Sequence, residues 1–170
     1  MSHDGAGGVQ LSKTSSPDEL GMPISQESPN QADVIALIGE LDAYQDSLYP
    51  PEARYALDLA SLMQPNVRFV VARDARGAAI GCGAVVLAPG HGELKRMYVQ
   101  PGARGSGVAQ GILALLEAAA AADGCPEILL ETGPFQPQAM AFYEKQGYRR
   151  RAAFGDYPEH PMSVFMGKRL

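Results

Sequence analysis

The sequence predicts an α/β domain in which a mixed, mostly antiparallel twisted sheet has one parallel strand pair near its middle and helices on both faces. Three stretches carry that prediction. Residues 67–87 read as two apolar strands around a glycine-assisted turn, a β-hairpin. Residues 93–109 read as a strand, a glycine loop and the start of a helix. Residues 127–131 read as the next strand, and a strand–helix–strand crossover in one sheet is right-handed and makes its two strands parallel. At 170 residues, 46% of them hydrophobic, the chain has the size and composition of one domain with one substantial core.

In chain order, residues 1–20 are rich in Gly, Ser and other polar residues. They predict a disordered tail, with no apolar block long enough for a leader or a membrane span. The domain then occupies residues 21–170. A short strand over residues 21–26 precedes a helix with Val34, Leu37, Ile38, Leu41 and Leu48 on one face and an acidic opposite face. Ser28 or Asn30 is its expected N-cap. Tyr49-Pro50-Pro51 stops this helix, and Pro51 can open another that runs through Leu57 to Met63.

The hairpin strands, 67–73 and 79–87, are apolar on both faces and so belong inside a sheet covered on each side. Pro89 to Gly92 make the next turn. After the glycine loop, a helix buries Val108, Ile112, Leu115, Leu116 and Ala119, and Gly124 ends it. A short helix over residues 138–146 ends at Gly147. Strands over 148–152 and 162–167 close the chain, and the stretch from Phe154 to His160 between them is too polar and broken to be core. Cys82 and Cys125 lack C-x-x-C spacing and lie in or beside apolar strands, which reads as buried, reduced thiols and suits the cytoplasm. Nineteen acidic against fourteen basic residues give a net charge of −5. With the basic residues scattered, this argues against nucleic acid as a partner.

The stretch with the most chemical content is Glu93 to Ala109. Gly105 and Gly107 allow positive φ and close approach of a ligand to the backbone, the first N–H groups of the helix point into the same space, and Arg104 stands at its mouth. Such a turn holds a phosphate or diphosphate. A P-loop is excluded because no Lys-Ser or Lys-Thr follows the glycines. A dinucleotide-binding turn remains the rival, with Gly105, Gly107 and Gly111 as a relaxed fingerprint and Glu131 as the ribose-binding acid. Against it, Gln100 to Arg104 separate the strand from the glycines, and the preceding segment reads as a hairpin.

Arg104-Gly105-Ser106-Gly107-Val108-Ala109 resembles motif A of the GNAT superfamily of N-acetyltransferases, Gln/Arg-x-x-Gly-x-Gly/Ala. Gln136-x-x-Ala139-x-x-x-Tyr143-Glu-Lys-x-Gly147-Tyr148 resembles its motif B, with Gln136 in place of the usual Asn and Tyr148 in place of the usual Phe. The resemblance implies that the parallel strands splay apart and that the pantetheine arm of acetyl-CoA lies in the gap. It implies cofactor contacts from Met97, Tyr98 and Val99, from Arg104 through Ala109, and from Gln136 and Tyr143. The first helices would wall the acceptor cleft, which makes Tyr44, Tyr49 and Arg54 candidates for acceptor contact, together with Asp42 and Asp46. Tyr157 would overhang the cleft from the late loop.

Acetyl transfer from a thioester to an amine needs a base, because an alkylamine with a pKa of ~10 is almost wholly protonated at neutral pH. Glu93 stands eleven positions before Arg104, the spacing of the catalytic glutamate in histone-type members, and takes that role by resemblance. Glu131 is the second candidate base and is expected near the acceptor amine. Tyr143 matches the motif B tyrosine that protonates the leaving thiolate. A main-chain N–H near Met97 to Val99 is the natural donor to the oxygen that gains charge.

The resulting expectation is an acetyl-CoA-dependent N-acetyltransferase that works by direct attack in a ternary complex, without metal, on a small cationic amine. A protein or peptide acetyltransferase and a non-catalytic acyl-CoA sensor are the alternatives. A homodimer is left open.

Overall fold

A computed structural model describes residues 23–170; the expected tail of residues 1–20 lies outside them. Among the described residues seven strands form one sheet: β1 (Ile24–Gln26), β2 (Val67–Arg73), β3 (Ala79–Ala88), β4 (His91–Val99), β5 (Glu127–Thr132), β6 (Arg149–Arg151) and β7 (Val164–Arg169). Their spatial order is β1-β2-β3-β4-β5-β7-β6. Every pairing is antiparallel except β4 with β5. The predicted mixed sheet with a parallel pair inside it is therefore present.

Alternation along β2 explains the two covered faces. Val70 and Ala72 point to one face, where they pack with Val108, Ile112 and Leu116 of α3 (Val108–Ala122). Phe69 and Val71 point to the other, against Val34, Leu37 and Ile38 of α1 (Ala32–Leu48). Apart from Ala72, each of these side chains contributes about 1.5–3 kcal/mol by leaving water, so strand period and helix period together hold the three layers. Cys82 and Cys125 are buried and free, as expected. Burial pushes the Cys82 thiol up to about 12, which removes it from thiolate chemistry at neutral pH.

The parallel pair is short, and that shortness makes the site. Only Gly92 with Ile128 and Glu93 with Leu129 are in register. Beyond them β4 and β5 diverge, so the β5-facing edge of β4 from Leu94 to Val99 has no strand partner among the described residues. On its other side, β4 carries an extra residue where the register with β3 shifts between Cys82 and Ala84. Arg96 sits in this bulge at φ 58°, the one positive-φ residue other than glycine among the described residues. A left-handed non-glycine residue costs roughly 1–2 kcal/mol, and a bulge re-aims the side chains beyond it. Gly83 lies opposite, where a Cβ would run into Met97 Sδ and stand 3.0 Å from both Ile112 and Leu116.

Four expectations are corrected. The helix from Pro51 to Met63 is broken into a 3₁₀ turn (Pro51–Ala53), an extended link and a single turn, α2 (Leu59–Leu62). The carbonyls of Tyr55 and Leu57 accept hydrogen bonds from Lys95 and Arg96 on β4 instead of closing helical turns. Neither Ser28 nor Asn30 caps α1; Gln31 occupies the cap position without a side-chain bond, and Ser28 accepts from the Asn30 N–H. On α3, Leu113 and Ala120 are buried in place of Leu115 and Ala119, because the buried line runs along positions 108, 112, 116 and 120. Phe154 is core: it packs edge-on against Phe165 of β7 and Tyr157.

Candidate active site

The gap between the diverging strands opens into two adjoining cavities. The larger, about 910 Å³, runs from the unpaired edge of β4 to the N-terminus of α3 and is closed by α4 (Pro137–Lys145). Met97, Tyr98 and Val99 form its floor, and Val108 and Ala109 begin its helical wall. Gly105 and Gly107 line it at φ 81° and 83°. A left-handed residue at the N-cap position of α3 turns the chain sharply there and leaves the helix's first N–H groups facing the cavity. Arg104 donates from Nε to the Val99 carbonyl at 3.1 Å, which anchors the guanidinium at the cavity's edge with its remaining N–H groups free of partners among the described residues. Ser106 does not line the cavity; its hydroxyl bonds the Ala103 carbonyl at 2.6 Å and tightens the loop. A cavity of this size with a free strand edge, a helix N-terminus and an arginine suits a long anionic ligand such as coenzyme A.

The smaller cavity, about 110 Å³, lies deeper, between α1, the 51–58 segment and the ends of β4 and β5. Leu41, Met97, Gln136, Ala139 and Tyr143 border both cavities. The pivot is Tyr143. It is buried, its phenol is pushed above the usual range by that burial, and its hydroxyl bonds no protein group among the described residues. Gln136 precedes α4 and its side chain does not cap the helix, so its amide stays free at the junction.

Glu131 is the one carboxylate that lines the inner cavity among the described residues. Burial pushes it up to about 7; the neighbouring Ser163 hydroxyl and the Lys95 ammonium pull the other way, and Glu93 adds to the rise. Ser163 Oγ is itself buried without a hydrogen bond of normal geometry among the described residues. Glu93 stands differently. Its carboxylate accepts from the Tyr157 hydroxyl at 2.6 Å and pairs with Lys95 Nζ at 3.0 Å, and it does not line the cavity. Lys95 also donates to Tyr157 and to the Tyr55 carbonyl, so that two hydrogen bonds and the ion pair with Glu93 hold its ammonium.

Of the expected acceptor contacts, Tyr49 and Arg54 line the inner cavity, whereas Tyr44 is exposed and borders the outer one. The Tyr49 ring stacks on Phe135 and packs against Gly133, where any Cβ would collide with it; its hydroxyl accepts from the Phe135 N–H at 3.1 Å. Tyr157 sits behind Glu93 and Tyr55 instead of on the cavity wall. Asp42 and Asp46 face no ligand space: Asp42 pairs with Arg54 and Arg96, and Asp46 with Arg54. Burial opposes ionisation of Asp42, and the two guanidiniums outweigh it, holding its carboxyl below the usual carboxylate range. Lys95, Arg96, Tyr55 and Thr132 line the cavity without having been expected there. The bulge in β4 breaks the alternation from which the direction of Lys95 and Arg96 would be read.

A sequence model of the acetyltransferase (GNAT) family matches residues 36–148. The chain is 46% identical over 149 residues to a protein of Azospirillum brasilense named IAA acetyltransferase, covering 86% of this chain and 97% of that one. A Klebsiella pneumoniae protein assigned to the acyl-CoA N-acyltransferases has a crystal structure that superposes with a TM-score of 0.78 at 41% identity, over 88% of this chain and 97% of its own. The PaiA N-acetyltransferase of Thermoplasma acidophilum, solved with coenzyme A, shares the fold with a TM-score of 0.65 at 16% identity, over 88% of this chain and all of its own, 100%.

Proposed function

Because this chain belongs to the GNAT family of acetyltransferases, we propose that it transfers acetyl to a small amine by direct attack within a ternary complex, with Glu131 as the base and Tyr143 as the acid. The enzyme class and the cofactor, an N-acetyltransferase using acetyl-CoA, come with the family. The assignment of roles is carried by one observation: Glu131 alone among the described carboxylates lines the inner cavity, with its pKa raised to about 7.

Bound acetyl-CoA supplies an acetyl thioester. The unpaired edge of β4 at Met97 to Val99 offers main-chain groups to the pantetheine arm, and the same N–H groups would stabilise charge on the carbonyl oxygen. Gly105, Gly107, the first turn of α3 and Arg104 take the diphosphate. Glu131 removes a proton from the acceptor nitrogen as the C–N bond forms. A carboxylate with a pKa near neutrality is half ionised at working pH and accepts a proton readily. As the C–S bond breaks, Tyr143, kept protonated by burial, donates to the departing sulfur. Glu93 acts here as a positioning residue that holds Lys95 and Tyr157 beside the cavity.

The small inner cavity favours a small acceptor over a peptide, and a base and an acid that meet in one cleft favour turnover over sensing. Asp42 and Asp46, candidates for acceptor contact in the sequence, are spent in ion pairs. The buried free thiols support a cytoplasmic setting. No helix among the described residues is long and apolar enough to cross a membrane.

The test is thiol release from acetyl-CoA with a panel of amines, with coenzyme A affinity measured alongside. Glu131→Gln should lower kcat by ~10²–10⁴-fold with affinity unchanged, and Glu93→Gln should do less, chiefly through KM. Full turnover in Glu131→Gln would return the base role to Glu93.

A further inference from the structure

Arg54 and Arg96 form a cationic wall in the inner cavity that the reaction as described does not use. Both line it, and both bond the same oxygen, Oδ1 of Asp42, at 3.0 and 2.6 Å. Their side chains are 14% and 7% exposed, whereas Asp42 is 40% exposed and Asp46, the second counter-ion, 65%. Two guanidiniums are thus largely removed from water while one of their two carboxylates lies mostly in it. High dielectric weakens the Asp46 contribution, so the buried part of the cluster keeps a positive surplus.

Their hydrogen-bonding capacity is also incomplete. Arg54 uses Nη1 on Asp46 and Nη2 on Asp42 and Gln45, leaving Nε–H and one Nη1 hydrogen. Arg96 uses Nε and Nη2 on the Leu57 carbonyl and Nη1 on Asp42, leaving one hydrogen on each terminal nitrogen. None of these remaining hydrogens has a partner among the described residues. Lys95, by contrast, is held by a carboxylate of its own, Glu93 at 3.0 Å, and by hydrogen bonds to Tyr55 and Tyr157. Buried guanidiniums with spare donors are suited to a planar, bidentate anion.

We propose that the acceptor carries a carboxylate, bound by Arg54 and Arg96, with its nucleophilic nitrogen directed to Glu131. This deepens the acetyltransferase reading above and rests on it. A volume of about 110 Å³ fits a short molecule, since a dry cavity of 150 Å³ takes benzene; amine and carboxylate are therefore separated by few atoms, as in an amino acid. The charge at neutral pH is consistent with this. Glu131, held near 7, repels a carboxylate less than a fully ionised neighbour would.

The experiment compares matched short acceptors that differ by the carboxylate: L-alanine with ethylamine, and glycine with methylamine. Thiol release from acetyl-CoA is followed in wild type, Arg54→Met and Arg54→Lys, and acetyl-CoA affinity is measured by calorimetry for each. In at least one pair the carboxylated member should have a kcat/KM at least tenfold higher. Arg54→Met should erase that preference through KM, and Arg54→Lys should restore part of it. If Arg54 were merely structural, both members of a pair would fall together, and that result would overturn the proposal. So would equal or better use of the plain amines, or no turnover of either pair by a protein that binds acetyl-CoA. Failure to bind acetyl-CoA would instead overturn the function on which the proposal rests.

Discussion

Glu131 and Glu93 show how little a residue type says about a role. Both are glutamates on strands of the same parallel pair, two positions apart in register. One is desolvated without a cation of its own, and the other is bonded by Tyr157 and Lys95. If Glu131 is the base, the deprotonated form is active, so kcat/KM should rise with pH and level off above about 7. A profile flat from pH 5 to 9 would refute the role. Stability runs the opposite way. The folded pKa lies above the ordinary value of 4.5, so the folded state binds more protons; the contribution is full below pH ~4.5 and is lost as pH rises through about 7. Glu131→Gln should accordingly gain a few degrees in Tm over wild type at pH 8 and little at pH 4. For Tyr143→Phe, which removes the proposed acid and leaves the ring in the core, turnover should fall by ~10²-fold or more with coenzyme A affinity nearly unchanged. Calorimetry beside steady-state kinetics separates the two.

At the scale of elements, the loop before α3 and the bulge in β4 place the chemistry. Gly107→Ala keeps every polar contact but puts a Cβ at φ 83°. It should destabilise by about 1–2 kcal/mol, and chemical denaturation together with a weakened coenzyme A titration will register both effects. Arg104→Ala should weaken coenzyme A and 3′,5′-ADP in parallel, because both carry phosphates; loss for only one of them would move Arg104 away from the phosphate site. Gly83→Val should cost about 1–3 kcal/mol by overpacking between Met97 and α3. The loop was legible in the sequence because glycine and arginine at fixed spacing act locally. The bulge was not, because an extra residue in one strand is defined only against its partner. The break in the 51–63 helix was hidden for a related reason: carbonyls at Tyr55 and Leu57 are drawn away by cations about forty positions downstream.

For the whole molecule, the two cavities lie between the halves of the sheet: β4 lines both, β5 lines the inner one, and α4, which follows β5, closes the outer one. A ligand that binds both halves stabilises the folded state by about 2.7 kcal/mol at a hundred times its Kd, which for a chain of this size is a rise in Tm of roughly 5–10 °C. Acetyl-CoA should produce that shift in a thermal melt and NADPH should produce none; a shift with NADPH alone would revive the dinucleotide reading of Gly105, Gly107 and Glu131. By itself the sequence determined the order of the strands and of the long helices, the parallel crossover, the glycine loop and, through its family, the cofactor, since periodicity, glycine placement and two short motifs are properties of neighbouring residues. Only the tertiary structure decided which carboxylate loses water, which acids are consumed by Arg54 and Arg96, and which side of α3 is buried. Desolvation and charge pairing are set by groups that meet from distant parts of the chain, and no local pattern records those meetings.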